Sequence, residues 1–207
     1  MNLSSPNITF DEKLLAVEEL FRQRKYKTAI EEFNKLDLLK FQEKKYEHGL
    51  YFLLAAETDF FESNYKKSIE NGLKSAKLLS TFSLNRRFGR IQVVLSKSYA
   101  IIGDLKNAEI RAHDSLASYR RCNCDIGQSD ALNELARIAF IRCNFVQGLE
   151  FLEEGLTHVR KNPRKVAQLR GNIARILLFT GKWKLAEEET LEILKFNKEN
   201  NGFVRLG

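Results

Sequence analysis

Proline and cysteine are scarce in this 207-residue chain, with two of the first and three of the second. So few prolines, beside eleven glycines, leave little punctuation, as expected where helices dominate and loops are short. Three cysteines exclude a disulfide scaffold. Cys122 and Cys124 form a C-x-C pair and Cys143 stands alone, with no C-x-x-C and no histidine at ligand spacing, so no metal site is expected. No apolar run approaches the ~18 residues of a membrane span. The first residues, Met1-Asn2-Leu3-Ser4-Ser5, lack the basic stretch and apolar core of a secretory signal, which makes a cytoplasmic location the expectation. A net charge of +7 is a modest bias, because 27 acidic residues stand against 34 basic ones.

Catalytic patterns are missing as well. There is no G-x-S-x-G, P-loop lysine, dinucleotide glycine pattern or H-E-x-x-H. His48, His113 and His158 are far apart, and Glu18-Glu19, Glu31-Glu32 and Glu153-Glu154 are adjacent pairs whose members point different ways on a helix. No enzymatic activity and no cofactor are expected. Arg86-Arg87 with Arg90, Arg120-Arg121, and Arg160-Lys161 with Arg164-Lys165 are basic clusters near helix ends, where cations at a C-terminus meet the helix dipole. No recognition helix, zinc finger or RNA-binding aromatic motif accompanies them, so direct nucleic-acid binding is not expected.

What is present is a phrase repeated five times. Large apolar anchors at Tyr26, Tyr65, Leu105, Phe145 and Trp183 are separated by 39, 40, 40 and 38 residues. Each is followed three positions later by a small residue: Ala29, Ser68, Ala108, Gly148, Ala186. A fixed period near 40 residues is the signature of a solenoid. Apolar residues at three-to-four spacing flank every anchor, as in Ile91, Val94, Leu95 and Tyr99 before Leu105 and Ala112, Leu116 and Tyr119 after it. Thr9 and Glu12 have capping-box spacing, and Gly103-Asp104 and Gly181-Lys182 read as turns. The expected helices pair as 10–23 with 26–39, 44–62 with 65–80, 85–102 with 105–121, 126–143 with 145–161, and 164–180 with 183–199. Close crossing of the two helices of a pair explains the small residue. The fold class is all-α: a right-handed superhelical solenoid of about five antiparallel helix pairs, with 1–9 a lead-in, 10–202 the repeat domain and 203–207 a tail or the start of a further repeat.

The pattern resembles the tetratricopeptide repeat, in which a glycine closes the first helix, an aromatic opens the second and an alanine follows three residues on. Gly103 with Leu105 and Ala108, and Gly181 with Trp183 and Ala186, match it best. The period is nearer 40 than 34, and the early Trp and the closing Pro are absent. The longer form is similar to arrays in bacterial signal-responsive transcription regulators, in peptide-sensing regulators and in related scaffolds. The resemblance implies binding, with a protein or peptide as partner. The family's carboxylate clamp for chaperone tails is not reproduced.

In such solenoids the first helices line the concave face. Eight residues before each anchor stand Glu18, Glu57, Lys97, Arg137 and Arg175, acidic in two repeats and basic in three. Arg90, Asn133, Glu134 and Asn172 are expected on the same face, with Phe60 and Phe61 towards the acidic end. Arginine suits carboxylates and asparagine suits peptide backbone, so the expected ligand is a peptide or protein segment, with acidic side chains favoured. At the far end Trp183, Leu191, Ile193, Leu194 and Phe196 precede a tail, Phe203-Val204-Arg205-Leu206, without logic of its own. That end reads as a piece of a longer regulatory protein, or as a face that packs on a partner and forms a homo-oligomer. A regulator's sensory domain, with DNA contact made by another domain, is the alternative.

Overall fold

The computed structural model describes residues 9–36, 45–82 and 86–199, with side chains as far as 195. Ten helices run through them: α1 (Phe10–Arg22), α2 (Tyr26–Asn34), α3 (Lys45–Phe61), α4 (Tyr65–Leu79), α5 (Arg86–Ile101), α6 (Leu105–Arg121), α7 (Asp125–Ile141), α8 (Phe145–Val159), α9 (Pro163–Phe179) and α10 (Trp183–Glu199). Every anchor is the first residue of an even-numbered helix. The end expected for the first even helix, the lead-in before Thr9 and the tail after Glu199 lie outside the described residues.

Local chemistry fixes the starts. Thr9 Oγ1 accepts from the Glu12 N–H while Glu12 accepts from the Thr9 N–H, closing the capping box on α1. Asp104 caps α6 by accepting from the Asn107 N–H, and Asn162 caps α9 by accepting from the Lys165 N–H, with Pro163 in the first turn.

One turn geometry serves all five pairs. The residue two before each anchor adopts a left-handed backbone: Arg24 (φ 59°), Ser63 (64°), Gly103 (88°), Cys143 (58°) and Gly181 (73°). The next N–H then reaches back to a carbonyl in the last turn of the preceding helix, as Asn64 to Asp59 at 2.7 Å and Asn144 to Ala139 at 2.8 Å. Three repeats therefore tolerate a side chain where only glycine is unstrained, at about 1 kcal/mol each.

The small residue behind each anchor is sealed in the crossing. Ala29, Ser68 and Ala108 are fully buried, and a Cβ added to Gly148 would stand 3.0 Å from Ile176 Cδ1 of the next repeat. Ser68 Oγ donates to the Ala56 carbonyl at 2.8 Å, which puts the residue twelve positions upstream against it. That upstream position holds Val17, Ala56, Ser96, Ala136 and Ala174, all buried.

A second close approach repeats at the other end of the second and third pairs. Ser75 Oγ donates to the Gly49 carbonyl at 2.7 Å, and Ser115 Oγ to the Gly89 carbonyl at 2.9 Å. In the fourth pair the two residues are exchanged, giving Gly155 and Ser129, and the Ser129 hydroxyl has no partner among the described residues.

α2, α4, α6 and α8 each pack on the odd helices on either side and α10 packs on α9, and odd helices also touch one another, α1 with α3, α3 with α5, α5 with α7 and α7 with α9. Even helices make no comparable contact with one another among the described residues. Stacking therefore produces an inner layer of odd helices and an outer layer of even ones, the two-layer superhelix of a helical solenoid. Leucines and isoleucines from both layers, among them Leu53, Leu79, Ile91, Leu132, Leu152 and Leu169, form the core between them.

Candidate functional site: the inner face of the odd helices

The inner layer is closed by ion pairs over its first half. From α5, Arg87 grips Glu18 of α1 with two bonds, Nε to Oε1 at 2.8 Å and a terminal nitrogen to Oε2 at 2.5 Å. Its other terminal nitrogen donates to the Tyr46 hydroxyl, and the guanidinium lies over the Tyr46 ring. Arg90, one turn on, grips Glu57 of α3 at 2.7 and 2.6 Å and also reaches Glu18 at 3.2 Å. Two guanidiniums and two carboxylates thus tie α1, α3 and α5 together with planar, bidentate geometry. Burial pushes the Glu57 carboxyl above its ordinary range, and Arg90 only partly offsets this. The Glu18 hydrogen bonds, working against partial burial, hold the Arg87 guanidinium above its ordinary value.

The second half carries more base than acid. Glu134 of α7 is buried and receives two cations, Arg137 at 2.7 Å from its own helix and Lys97 of α5 at 3.7 Å. Asn172 of α9 donates to the Asn133 side chain of α7 at 2.6 Å. Lys165 of α9 pairs with Asp130 of α7. Arg175 is exposed on α9, one repeat beyond Arg137.

The structure therefore brings all eight residues named from the sequence, Glu18, Glu57, Arg90, Lys97, Asn133, Arg137, Asn172 and Arg175, onto the odd helices. It joins Glu18, Glu57 and Arg90 in one network, Lys97 and Arg137 on one carboxylate, and Asn133 with Asn172. Sequence reading named Arg87 only as part of a basic cluster at a helix end, and missed Tyr46. Arg87 lies three residues before Arg90, the spacing that puts both on one helix face, and that was the available signal. Among the described residues no group of histidine, cysteine and carboxylate side chains is placed to hold a metal, and no helix is long and apolar enough to cross a membrane.

No family model matches the chain, and no curated protein matches it in sequence. Solved structures do match in shape. A Rap protein crystallised with competence and sporulation factor superposes with a TM-score of 0.81 at 13% identity, over 93% of this chain and 56% of that one. The Rap conjugation gene regulator of plasmid pLS20, solved with the Phr* peptide, gives 0.75 at 14% identity, over 97% and 60%. A putative kinesin light chain from Podosopora anserina, with nearly identical TPR-like repeats, gives 0.64 at 12% identity over 94% of this chain and 99% of that one. The fold is a tetratricopeptide-type helical repeat. The chain spans little more than half the length of the two Rap proteins. As a tetratricopeptide-type array it departs from a uniform groove, because its first three odd helices are cross-linked by Arg87 and Arg90 whereas its last three present Lys97, Arg137 and Arg175.

Proposed function

We propose that the chain is a binding module without chemistry of its own, and that it takes a peptide or protein segment along the inner face of α5, α7 and α9. The observation that carries this reading is the pairing pattern. Glu18 and Glu57 are satisfied by α5 arginines, whereas Lys97 and Arg137 share one buried carboxylate, so positive potential is concentrated in the last three repeats. Asn133 and Asn172, one turn before Arg137 and Arg175 on their own helices, form a hydrogen-bonded amide pair that we assign to peptide main-chain groups. Solved proteins of the same fold with peptides bound support the choice of ligand class. We place the module in a longer regulatory protein, in line with the larger size of those Rap chains.

Selection from a displayed peptide library tests this, with counter-selection against the Lys97→Ala, Arg137→Ala, Arg175→Ala triple variant. Sequences that bind the native chain and lose about tenfold or more on the variant are expected. A library yielding no such sequence removes the groove assignment.

One observation favours a second reading. Trp183, the last anchor, is 71% exposed and Leu191 and Leu194 are about half exposed, although Ile193 is buried. Trp183 and Leu194 stand at positions that earlier repeats cover, Tyr65, Leu105 and Phe145 being half-buried and Ala76 and Leu116 buried, so a second copy of the chain would pack there. Light scattering at high concentration decides it, since a strict monomer is incompatible with that packing.

A further inference from the structure

A second column runs beside the charged one. Four residues before the last four anchors stand Phe61, Ile101, Ile141 and Phe179, where the first repeat has Arg22, and all four are large, apolar and exposed. Ile101 is 46%, Ile141 45% and Phe179 68% exposed, which is unusual for such side chains at equivalent sites of successive repeats. Each is four positions after the charged residue of its own helix, giving the pairs Lys97 with Ile101, Arg137 with Ile141, and Arg175 with Phe179. At 100° per residue an i,i+4 pair differs by only 40° in direction, and its Cβ atoms lie about 5–6 Å apart. The two columns therefore share one face of α5, α7 and α9. One turn before the charged positions the same face is covered: Val94 and Glu134 are buried. What a ligand meets on these helices is a ladder of three rungs, each with one cation and one exposed apolar side chain.

The repeats leave one side of these apolar residues open. Phe61 stacks on Tyr26 at 4.0 Å between ring centres, and Phe179 meets Phe140 edge-on at 4.9 Å, yet both keep much of their surface in water. A surface apolar side chain is ordinary once; the same register in four successive repeats, each beside a groove position, is a patch.

Building on the groove reading above, we infer that the ligand is an acidic and apolar protein segment that presents one carboxylate and one large apolar side chain to each rung. The carboxylates meet Lys97, Arg137 and Arg175, and the apolar side chains cover Ile101, Ile141 and Phe179. Packed helices stand about 8–10 Å apart, which sets the rung spacing. One heptad of an α-helix advances about 10.5 Å and one turn of polyproline II about 9.3 Å, so either conformation keeps step with the ladder. A β-strand returns to the same side every ~6.7 Å and falls out of step.

Two labelled synthetic peptides of about three rungs test the inference by fluorescence anisotropy. One is helical, with Leu and Glu on one face in each heptad; the other is proline-rich, with Leu and Glu once in every three residues. Binding of either peptide is expected, falling about tenfold in Ile141→Ser and again in Arg137→Ala, and unchanged in Val146→Ser. Val146 is 70% exposed on α8, outside the inner layer, and loses comparable apolar surface. Thermal melts of each variant show that the fold survives, as substitution of exposed side chains predicts. Tight binding of a peptide with Glu but Ser in place of Leu, indifferent to Ile141→Ser, would overturn the inference while leaving the charged groove intact. Failure of both Leu/Glu peptides to bind also overturns it, and the library selection then decides the groove reading separately.

Discussion

Replacing Arg90 with Met keeps most of the side-chain stem and removes the guanidinium that Glu57 shares with Glu18. Glu18 retains both bonds from Arg87, whereas Glu57, with its side chain only 10% exposed, loses its one bidentate partner. Stranding one member of a buried pair costs about 3–5 kcal/mol when the remaining charge has no escape. Glu57 has one, because it can take up a proton. Its ordinary value is 4.5, so neutralising it at pH 7 requires about 2.5 units at about 1.36 kcal/mol each, which caps the loss near 3.4 kcal/mol. At pH 5 the same cap is about 0.7 kcal/mol. The sign follows from the raised folded value: the variant's folded state binds a proton more readily than its unfolded state, so it regains stability as pH falls towards 4.5. Urea unfolding of native and Arg90→Met proteins at both pH values measures the difference. The expected loss is about 3 kcal/mol at pH 7 and under about 1 kcal/mol at pH 5. A loss of equal size at both would show that Glu57 is not the stranded group, and the network would have to be redrawn.

Three further outcomes follow from the repeat geometry. Cys143→Gly relieves a left-handed backbone and should stabilise by about 1 kcal/mol, whereas Gly103→Ala should cost about as much, both read from urea midpoints. Ser129→Ala removes a buried hydroxyl without a partner among the described residues and should stabilise by about 1 kcal/mol in the same assay. Ala108→Leu forces a large side chain into a fully buried helix crossing and should cost about 1–3 kcal/mol or more, lowering the thermal midpoint, while leaving the distant Arg175 end of the groove folded.

The fold was legible because the anchor and the small residue three positions on are local signals tied to one turn geometry. Helix starts at Tyr26, Tyr65, Leu105, Phe145 and Trp183 came directly from them. The Gly49 and Ser75 approach was harder to read, because the two residues lie 26 positions apart and exchange places in the fourth pair as Ser129 and Gly155. The site was legible as a face and not as a network. Counting from the anchors places Glu18, Glu57, Lys97, Arg137 and Arg175 in one column, but pairing depends on reach between helices. Arg87, ten residues further from its anchor than the column position, still reaches across two repeats to Glu18. The apolar column at Phe61, Ile101, Ile141 and Phe179 was available to the same count, one turn further along. It stays hidden until exposure separates it from the core residues beside it.

A crystal structure of the chain with the helical or the proline-rich Leu/Glu peptide tests the central claim most directly. The peptide is expected to cross α5, α7 and α9, with carboxylates about 2.8 Å from Arg137 or Arg175 and leucines against Ile141 and Phe179. A peptide seated on the even-numbered helices, or on the exposed Trp183 face, would contradict it.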